Sequence, residues 1–165
     1  MQHFPIPDFE HKICAPADLP ARIAKLPQPV VFTNGCFDIL HRGHVTYLAQ
    51  ARALGGSLVL ALNTDASVKR QGKGDDRPIN CLENRLAVIA ALQSVDVVTW
   101  FDEDTPANLI ELVQPQVLVK GGDWAVENIV GAKETQARGG KVVSIAFDHP
   151  TSTTQTLAKI REAQA

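Results

Sequence analysis

The amino-acid sequence predicts an α/β protein with a doubly wound, mostly parallel sheet of five strands and helices on both faces. Five short apolar runs rich in β-branched residues have the length of strands, and helical stretches separate them. Near-continuous apolar runs indicate strands buried on both faces, as in a parallel sheet. The predicted strands are residues 30–34, 57–63, 95–101, 116–120 and 141–147.

Four helices are predicted between and after these strands. Apolar residues at helical spacing over 45–54 predict the first. Asn80, three residues before Glu83, has the spacing of a capping box and predicts the start of the second. Pro106 suits the first position of the third helix, and the last is expected to begin at 151–152 and run to the end of the chain.

Length and composition indicate one globular domain. The chain has 165 residues, of which 45% are hydrophobic and 21% charged. A net charge of -2 argues against nucleic acid as a partner, and no apolar run approaches the ~18 residues of a membrane span. The N-terminus lacks the pattern of a signal peptide, which favours the cytosol. Cys14, Cys36 and Cys81 are widely spaced, so neither a disulfide framework nor a zinc site is indicated.

The first 29 residues contain six prolines. Because proline interrupts helices, the sequence predicts an extended arm over residues 1–29, with at most one short helix near 19–26, before a domain over residues 30–165. The core is therefore expected to begin at Val30, and residues 1–28 are expected to be dispensable for folding.

The segment after the first predicted strand reads TNGCFDILHRGH, residues 33–44. It is neither a P-loop nor a dinucleotide fingerprint, which disfavours ATPases and dehydrogenases. His41 and His44 flank Gly43 at a predicted helix N-terminus, where free N–H groups and the helix dipole favour a phosphate. A single histidine near a turn is more often structural, but two around a glycine indicate phosphate binding.

Other segments leave the predicted strands at the same edge of the sheet, where ligands of doubly wound folds bind. The loop KRQGKGDDRP carries Lys69, Arg70 and Lys73 and would close over a polyphosphate, although charged loops are usually only solvated. The glycines of KGGD, residues 120–123, permit a base or ribose to approach, although a plain turn would also use them. Three hydroxyl residues, 152–154, open the last helix, where capping alone would use one.

These motifs resemble the cytidylyltransferase-like branch of the HIGH-motif nucleotidyltransferases. The resemblance rests on H-x-G-H after a G-x-F-D-x-[LI] turn and on S-T-T before the last helix, and it covers roughly residues 30–162. Within this superfamily, NTDASVKR, DDRPIN and VKGGD resemble the adenylyltransferases that act on heptose 1-phosphate. The kinase half to which many of these enzymes are fused is absent from this sequence, as in a stand-alone form.

The resemblance implies a Rossmann-like fold and transfer of AMP from ATP to D-glycero-β-D-manno-heptose 1-phosphate. The products would be ADP-heptose, for the lipopolysaccharide inner core, and pyrophosphate. It also implies Mg²⁺, held mainly by substrate phosphates rather than by protein ligands, and a pathway link to a separate heptose 7-phosphate kinase. A cytidylyltransferase for glycerol 3-phosphate or a similar ester, and a non-catalytic nucleotide-binding module, stay open as alternatives. The oligomeric state is open, a homo-oligomer included.

The resemblance also assigns roles to residues. His41 and His44 are implied to be catalytic, as donors to the α- and β-phosphates, because an anionic phosphate nucleophile needs no strong base. The implied nucleotide-binding residues are Asn34, Gly35, Cys36, Phe37, Gly43, Arg85, Gly122, Asp123, Ser152 and Thr153. Further candidates for substrate or phosphate binding are Asp38, Lys69, Lys73 and Lys120.

Two of these assignments, and the identity of the cation that holds pyrophosphate, have open alternatives. Asp38 also suits a turn or cap, and Arg85 also suits a surface pair with Glu83 or Asp102. Related cytidylyltransferases carry an arginine and a glycine upstream of S-T-T, where this chain reads DHPT. His149 is therefore a candidate for the cation that holds pyrophosphate, or a plain surface histidine.

Overall fold

The computed structural model describes residues 5–72, 74, 76–149 and 151–163, and its centre is a sheet of five parallel strands. The strand order is β3-β2-β1-β4-β5. The chain builds outward from β1 to β3 and then returns to place β4 on the other side of β1. The carboxyl ends of β1 and β4 thus flank the switch point of the topology, where ligands of such sheets bind. The strands are β1 Val30–Gly35, β2 Ser57–Asn63, β3 Val97–Phe101, β4 Val117–Gly121 and β5 Lys141–Ile145.

Helices cover both faces of this sheet. The helices are α1 Leu19–Ile23, α2 Arg42–Arg52, α3 Asp65–Arg70, α4 Leu82–Ala90, α5 Ala107–Val113, α6 Ala132–Ala137 and α7 Thr153–Glu162. One apolar cluster packs α2 and α4 on the sheet, and a second packs α1, α5 and α6 on the opposite face. None of the helices in the described ranges is both long and apolar enough to cross a bilayer.

The predicted fold class is confirmed, and each predicted strand boundary lies within two residues of the observed one. The reason is burial: β2 is buried along its whole length, so its sequence has no polar alternation. The predicted capping box is wrong, because Cys81 and not Asn80 precedes α4. The Asn80 side chain instead donates to the Asp38 backbone carbonyl at 2.7 Å. Pro106 immediately precedes α5, and Ser152 caps α7.

The N-terminal segment packs on the sheet instead of extending from it. Ile13 forms a parallel bridge with Val98, and the Cys14 N–H donates to the Val98 carbonyl at 2.9 Å. Leu19 is fully buried in the same apolar cluster as Val30. The expectation that the core begins at Val30 is therefore wrong. The prolines keep the segment from forming a long helix, but they do not keep its apolar residues out of the core.

Candidate active site

The two histidines lie where β1 leads into α2. His41 immediately precedes α2, and His44 lies in its first turn. Their rings are stacked, with centroids 3.8 Å apart and an interplanar angle of 25°. A Cβ on Gly43 would lie 3.1 Å from the His41 ring, closer than most real Cβ contacts. Gly43 therefore allows the rings to stack against each other at the helix N-terminus.

The surroundings of both rings favour the neutral form of the imidazole. The pKa of His44 is lowered to about 4, mainly by burial and also by the nearby His41, while an interaction with the Ile39 backbone partly opposes both effects. Burial also lowers the pKa of His41. A neutral imidazole has one N–H donor and one acceptor nitrogen. The His44 Nδ1 atom is buried and makes no well-formed hydrogen bond with any residue that the structure describes.

A first cavity of about 330 Å³ opens beside the histidines, between the carboxyl ends of β1 and β4. Eight of the predicted site residues line it: Asn34, Gly35, Cys36, Phe37, Asp38, His44, Lys120 and Thr153. Gly121 of the KGGD segment and Thr154 of the S-T-T motif also line it, and four residues without a predicted role complete the lining: Tyr47, Arg77, Trp124 and Phe147. The sequence motifs on β1, β4 and α7 thus meet around one space.

The backbone at Phe37 is strained. Its φ of 47° lies in the left-handed region, which bulky residues rarely adopt. The Phe37 ring lies 5.0 Å from the His44 ring, centroid to centroid. A Cβ on Gly35 would lie 2.8 Å from the same ring, so only glycine fits there. Strained residues of this kind concentrate at functional sites, and here the strain places an aromatic ring beside His44.

A second cavity of about 340 Å³ adjoins the first and shares Asn34, Lys120 and Trp124 with it. Its other lining residues are Asn63, Gln71, Phe101, Asp104, Thr105, Pro106, Asn128, Ile129 and Val130. The sequence interpretation assigned no role to these residues, although the segments NTD and FDEDTP each begin at the last residue of a predicted strand. Since the two cavities share a wall, two ligands could meet at that boundary.

The N-terminus of α7 is tied to the turn before α2. The Thr153 hydroxyl donates to the Ile39 carbonyl at 3.2 Å, and the Thr151 hydroxyl lies 3.2 Å from His41 Nδ1. The Ser152 hydroxyl caps α7 by accepting from the Gln155 N–H at 3.1 Å, and Ser152 does not line the cavity. Two helix N-termini, those of α2 and α7, therefore stand next to the first cavity.

The Asp38 carboxylate is buried and engaged by the protein. It accepts hydrogen bonds from Arg77 Nε at 2.6 Å, the Ile79 N–H at 2.9 Å and the Asn80 N–H at 2.8 Å. Burial raises the pKa of Asp38, but the hydrogen bonds from Asn80, Ile79 and Arg77 outweigh burial and lower the pKa overall. These contacts favour the turn-stabilising alternative for Asp38.

Arg85 does not line either cavity. Its side chain is fully buried, and Nη1 donates to the carbonyls of Cys36 and Asn63, both at 2.9 Å. Nε donates to the Asn80 carbonyl at 2.9 Å, and Nη2 pairs with Asp65 at 2.6 Å. The structure thus places Arg85 behind the site, where it joins the segments that follow β1 and β2. The alternative partners, Glu83 and Asp102, are not the ones it uses.

The remaining predicted residues lie around the cavities. Gly122 and Asp123 connect two lining residues, Gly121 and Trp124, without lining the cavities themselves. Lys69 lies exposed on α3, and the His149 backbone carbonyl would be 3.6 Å from a Cβ on Gly43. Lys73 lies outside the described residues. Sequence reasoning overlooked Trp124, and the signal for it was an aromatic residue two positions after a strand-end glycine pair.

Paired histidines at a helix N-terminus, beside a cavity at the switch point of a parallel sheet, define a phosphate-handling α/β enzyme. The chain belongs to the cytidylyltransferase-like family, whose sequence profile matches residues 32–160. It is a nucleotidyltransferase, and the resemblance read from its motifs is confirmed.

Individual relatives agree with this family. The chain is 53% identical over 156 residues to the D-beta-D-heptose 1-phosphate adenylyltransferase of Bordetella bronchiseptica, strain ATCC BAA-588 / NCTC 13252 / RB50. That match covers 93% of this chain and 96% of the relative. This chain is also 53% identical over 151 residues to the bifunctional protein HldE of Marinomonas sp., strain MWYL1. The second match covers 89% of this chain but only 31% of HldE, so the chain spans less than a third of that relative.

Solved structures show the same fold. A lipopolysaccharide core biosynthesis protein from Thermoplasma volcanium GSS1 is 28% identical, with a TM-score of 0.59, and the match covers 74% of this chain and 98% of that one. Pantothenate synthetase from Thermus thermophilus is 20% identical, with a TM-score of 0.58, over 82% of this chain and 61% of that one. The second likeness is one of fold alone.

Proposed function

We propose that this protein transfers AMP from ATP to D-glycero-β-D-manno-heptose 1-phosphate, giving ADP-heptose and pyrophosphate. The observation that carries the proposal is the near full-length identity of 53% to a heptose 1-phosphate adenylyltransferase. The stacked pair of His41 and His44, beside a cavity with two helix N-termini, supplies the chemistry that this reaction needs.

The reaction is an in-line displacement at the α-phosphorus of ATP. An oxygen of the acceptor phosphate forms the new bond, and the bond from the α-phosphorus to the bridging oxygen of pyrophosphate breaks. Because the nucleophile is already an anion, the barrier is dominated by positioning and by charge repulsion between phosphates. Donors that hold the phosphate oxygens lower that barrier without removing a proton.

His41 and His44 are the donors proposed for this task. Burial favours the neutral form of both rings before substrate binds, and a neutral imidazole still has one N–H group to donate to a phosphate oxygen. A bound polyphosphate would favour their charged forms, because a neighbouring anion raises the pKa of a histidine. The N-terminus of α2 adds backbone N–H groups and the positive end of its dipole to the same place.

The two cavities suit the two substrates. The first, next to both helix N-termini, is proposed to hold ATP, and the second is proposed to hold the acceptor. Asn34 and Lys120 lie in the shared wall, where the acceptor phosphate would meet the α-phosphate. The Lys120 ammonium would there offset the charge of two approaching phosphates.

Magnesium is proposed to enter with ATP and to be held by its phosphate oxygens. Within the described ranges no group of three or more histidine, cysteine, aspartate or glutamate side chains could hold a metal ion. The Asp38 carboxylate, which lines the first cavity, is engaged by Arg77. Mg²⁺ commonly keeps several waters and binds through substrate phosphates, so a site built by the protein is not required.

The proposed substrates also suggest the compartment in which the enzyme works and the reaction that precedes it. ATP and sugar phosphates are cytoplasmic metabolites, so we propose a cytoplasmic enzyme. The acceptor carries a phosphate at the sugar C1, and a kinase must attach that phosphate. We therefore propose that a separate kinase, acting on a heptose phosphate, works upstream of this enzyme.

Pyrophosphate release tests the proposal. The protein would be mixed with Mg²⁺ and four substrate pairs: ATP or CTP, each with heptose 1-phosphate or glycerol 3-phosphate. We expect release with ATP and heptose 1-phosphate, and ADP-heptose as the second product by mass spectrometry. Release only with CTP and glycerol 3-phosphate would favour the cytidylyltransferase alternative, and no release with any pair would favour a nucleotide-binding module.

A further inference from the structure

Trp124 occupies an unusual place in the site. It lines both cavities, and about half of its surface, 50%, is exposed. The other two residues in the wall shared by the two cavities, Asn34 and Lys120, are polar. Trp124 is therefore the large apolar side chain at the point where two ligands would meet.

The indole of Trp124 is held in place by the fold. Its Nε1 donates to the Gly121 carbonyl at 3.1 Å, and its backbone N–H donates to the Ser144 hydroxyl oxygen at 3.1 Å. The Ser144 hydroxyl in turn donates to the Gly122 carbonyl at 2.6 Å. A side chain fixed before binding loses little conformational freedom when a ligand packs on it.

Gly122 is part of the same arrangement. Its φ of 113° lies in the left-handed region, and a Cβ there would lie 2.9 Å from Trp124 Nε1. The glycine therefore lets the indole fold back against the turn after β4. The turn after β4 is therefore shaped around the aromatic ring.

The second cavity has the chemistry of a sugar site. Besides Asn34 in the shared wall, five of its side chains carry amide, carboxylate or hydroxyl groups that can bond to sugar hydroxyls: Asn63, Gln71, Asp104, Thr105 and Asn128. A pyranose ring also has an apolar C–H face, and a rigid aromatic surface covers such a face. The first cavity has other aromatic rings for a base, those of Phe37, Tyr47 and Phe147.

We propose that Trp124 is a specificity-determining residue on which the sugar ring of the acceptor packs, while the acceptor phosphate lies at Lys120. This inference rests on the proposed function, because it takes the second cavity as the acceptor site. It makes Trp124 responsible for binding a sugar phosphate, and not for binding ATP.

Steady-state kinetics of Trp124→Ala test the inference. We expect the KM for heptose 1-phosphate to rise about tenfold and the KM for ATP to stay within about twofold, because the lost contact is with the sugar only. Trp124→Phe keeps an aromatic face and is expected to recover most of the acceptor affinity. Val88→Ala is the control, since Val88 is exposed on α4 away from both cavities.

Two kinetic outcomes would overturn the inference. A rise in the KM for ATP with an unchanged acceptor KM would assign Trp124 to the base. Unchanged values for both substrates would make it a rim residue without a role. Absence of turnover by the wild-type protein is a different result, because it contradicts the proposed function before any variant is compared.

Fluorescence provides a readout that needs no turnover. The chain has two tryptophans, and Trp100→Phe leaves Trp124 as the sole reporter. An ATP analogue that is not cleaved at the α-phosphorus is bound first, and heptose 1-phosphate is then expected to change the emission beyond the change that the analogue alone causes, because Trp124 lines both cavities. The difference between wild type and Trp124→Phe reports the same signal if the Trp100 variant does not fold. Emission that responds to the analogue alone and not to the acceptor contradicts the inference.

Discussion

At the scale of single residues, the site depends on a histidine that the fold keeps uncharged. His44 lies in the first turn of α2, stacked on the His41 ring and next to the Phe37 ring, which is tilted by 54° to it. Burial disfavours its imidazolium form, so the empty enzyme presents a neutral donor. The electrostatic contribution of His44 is then greatest when a polyphosphate arrives and charge grows on its oxygens.

Replacing His44 by Ala is expected to lower kcat by about 10²-fold or more, because a donor to transition-state charge is lost. The affinity for ATP is expected to change much less, since the helix N-termini and other residues proposed to hold the phosphates would still contact them. Pyrophosphate release and ATP titration measure the two effects. His11→Ala is the matched control, because His11 is exposed and far from both cavities. An unchanged kcat in His44→Ala would reject the role of His44.

The same residue makes stability depend on pH. The pKa of His44 is about 4 in the folded protein and near 6.5 in the unfolded chain. Between these values the unfolded chain binds the extra proton, so stability falls as pH drops from about 6.5 to 4, by up to about 3 kcal/mol. Urea unfolding at pH 7 and pH 5 measures the loss. His44→Asn is expected to lose less stability than wild type between these pH values, and an equal loss would assign it to other groups.

At the scale of elements, Arg85 joins α4 to the segments that follow β1 and β2. It donates to the carbonyls of Cys36 and Asn63, and Asn63 lines the second cavity. Sequence patterns predicted the strands and the α2 turn because burial and helix starts leave local signals. They could not predict these contacts, since Cys36 lies 49 residues from Arg85 along the chain and Asn63 lies 22. Only the packing of α4 brings the three together.

Replacing Arg85 by Lys is expected to destabilise the fold by about 2 to 4 kcal/mol, because buried carbonyls lose their donors and lysine cannot reproduce the planar fork. Chemical denaturation measures the change. Arg138→Lys is the control: Arg138 pairs with Glu111 at the surface, where such pairs contribute about 0 to 1 kcal/mol. If Arg85→Lys kept full stability but lost ATP affinity, the arginine would belong with the phosphate ligands.

At the scale of the whole molecule, the hydrophobic core includes side chains of residues that precede the first strand. Leu19 lies with Val30 and Leu109 in the apolar cluster on one face of the sheet. Cys14 pairs through its backbone with Val98 of the edge strand β3, which covers part of an otherwise open sheet edge. Proline content indicated an arm because it reports on helix formation. It carries no information on where the apolar side chains between the prolines are buried.

Deletion of residues 1–28 is therefore expected to prevent stable folding, and Leu19→Ala in the full chain is expected to cost about 2 to 5 kcal/mol, as for other buried leucines. Ile6→Ala is the control, because Ile6 precedes the packed segment and is 71% exposed. Urea unfolding of the three proteins, followed by circular dichroism, measures both effects. A truncated chain as stable as wild type would mean that the sheet folds without its N-terminal cover and that Leu19 contributes little to the core.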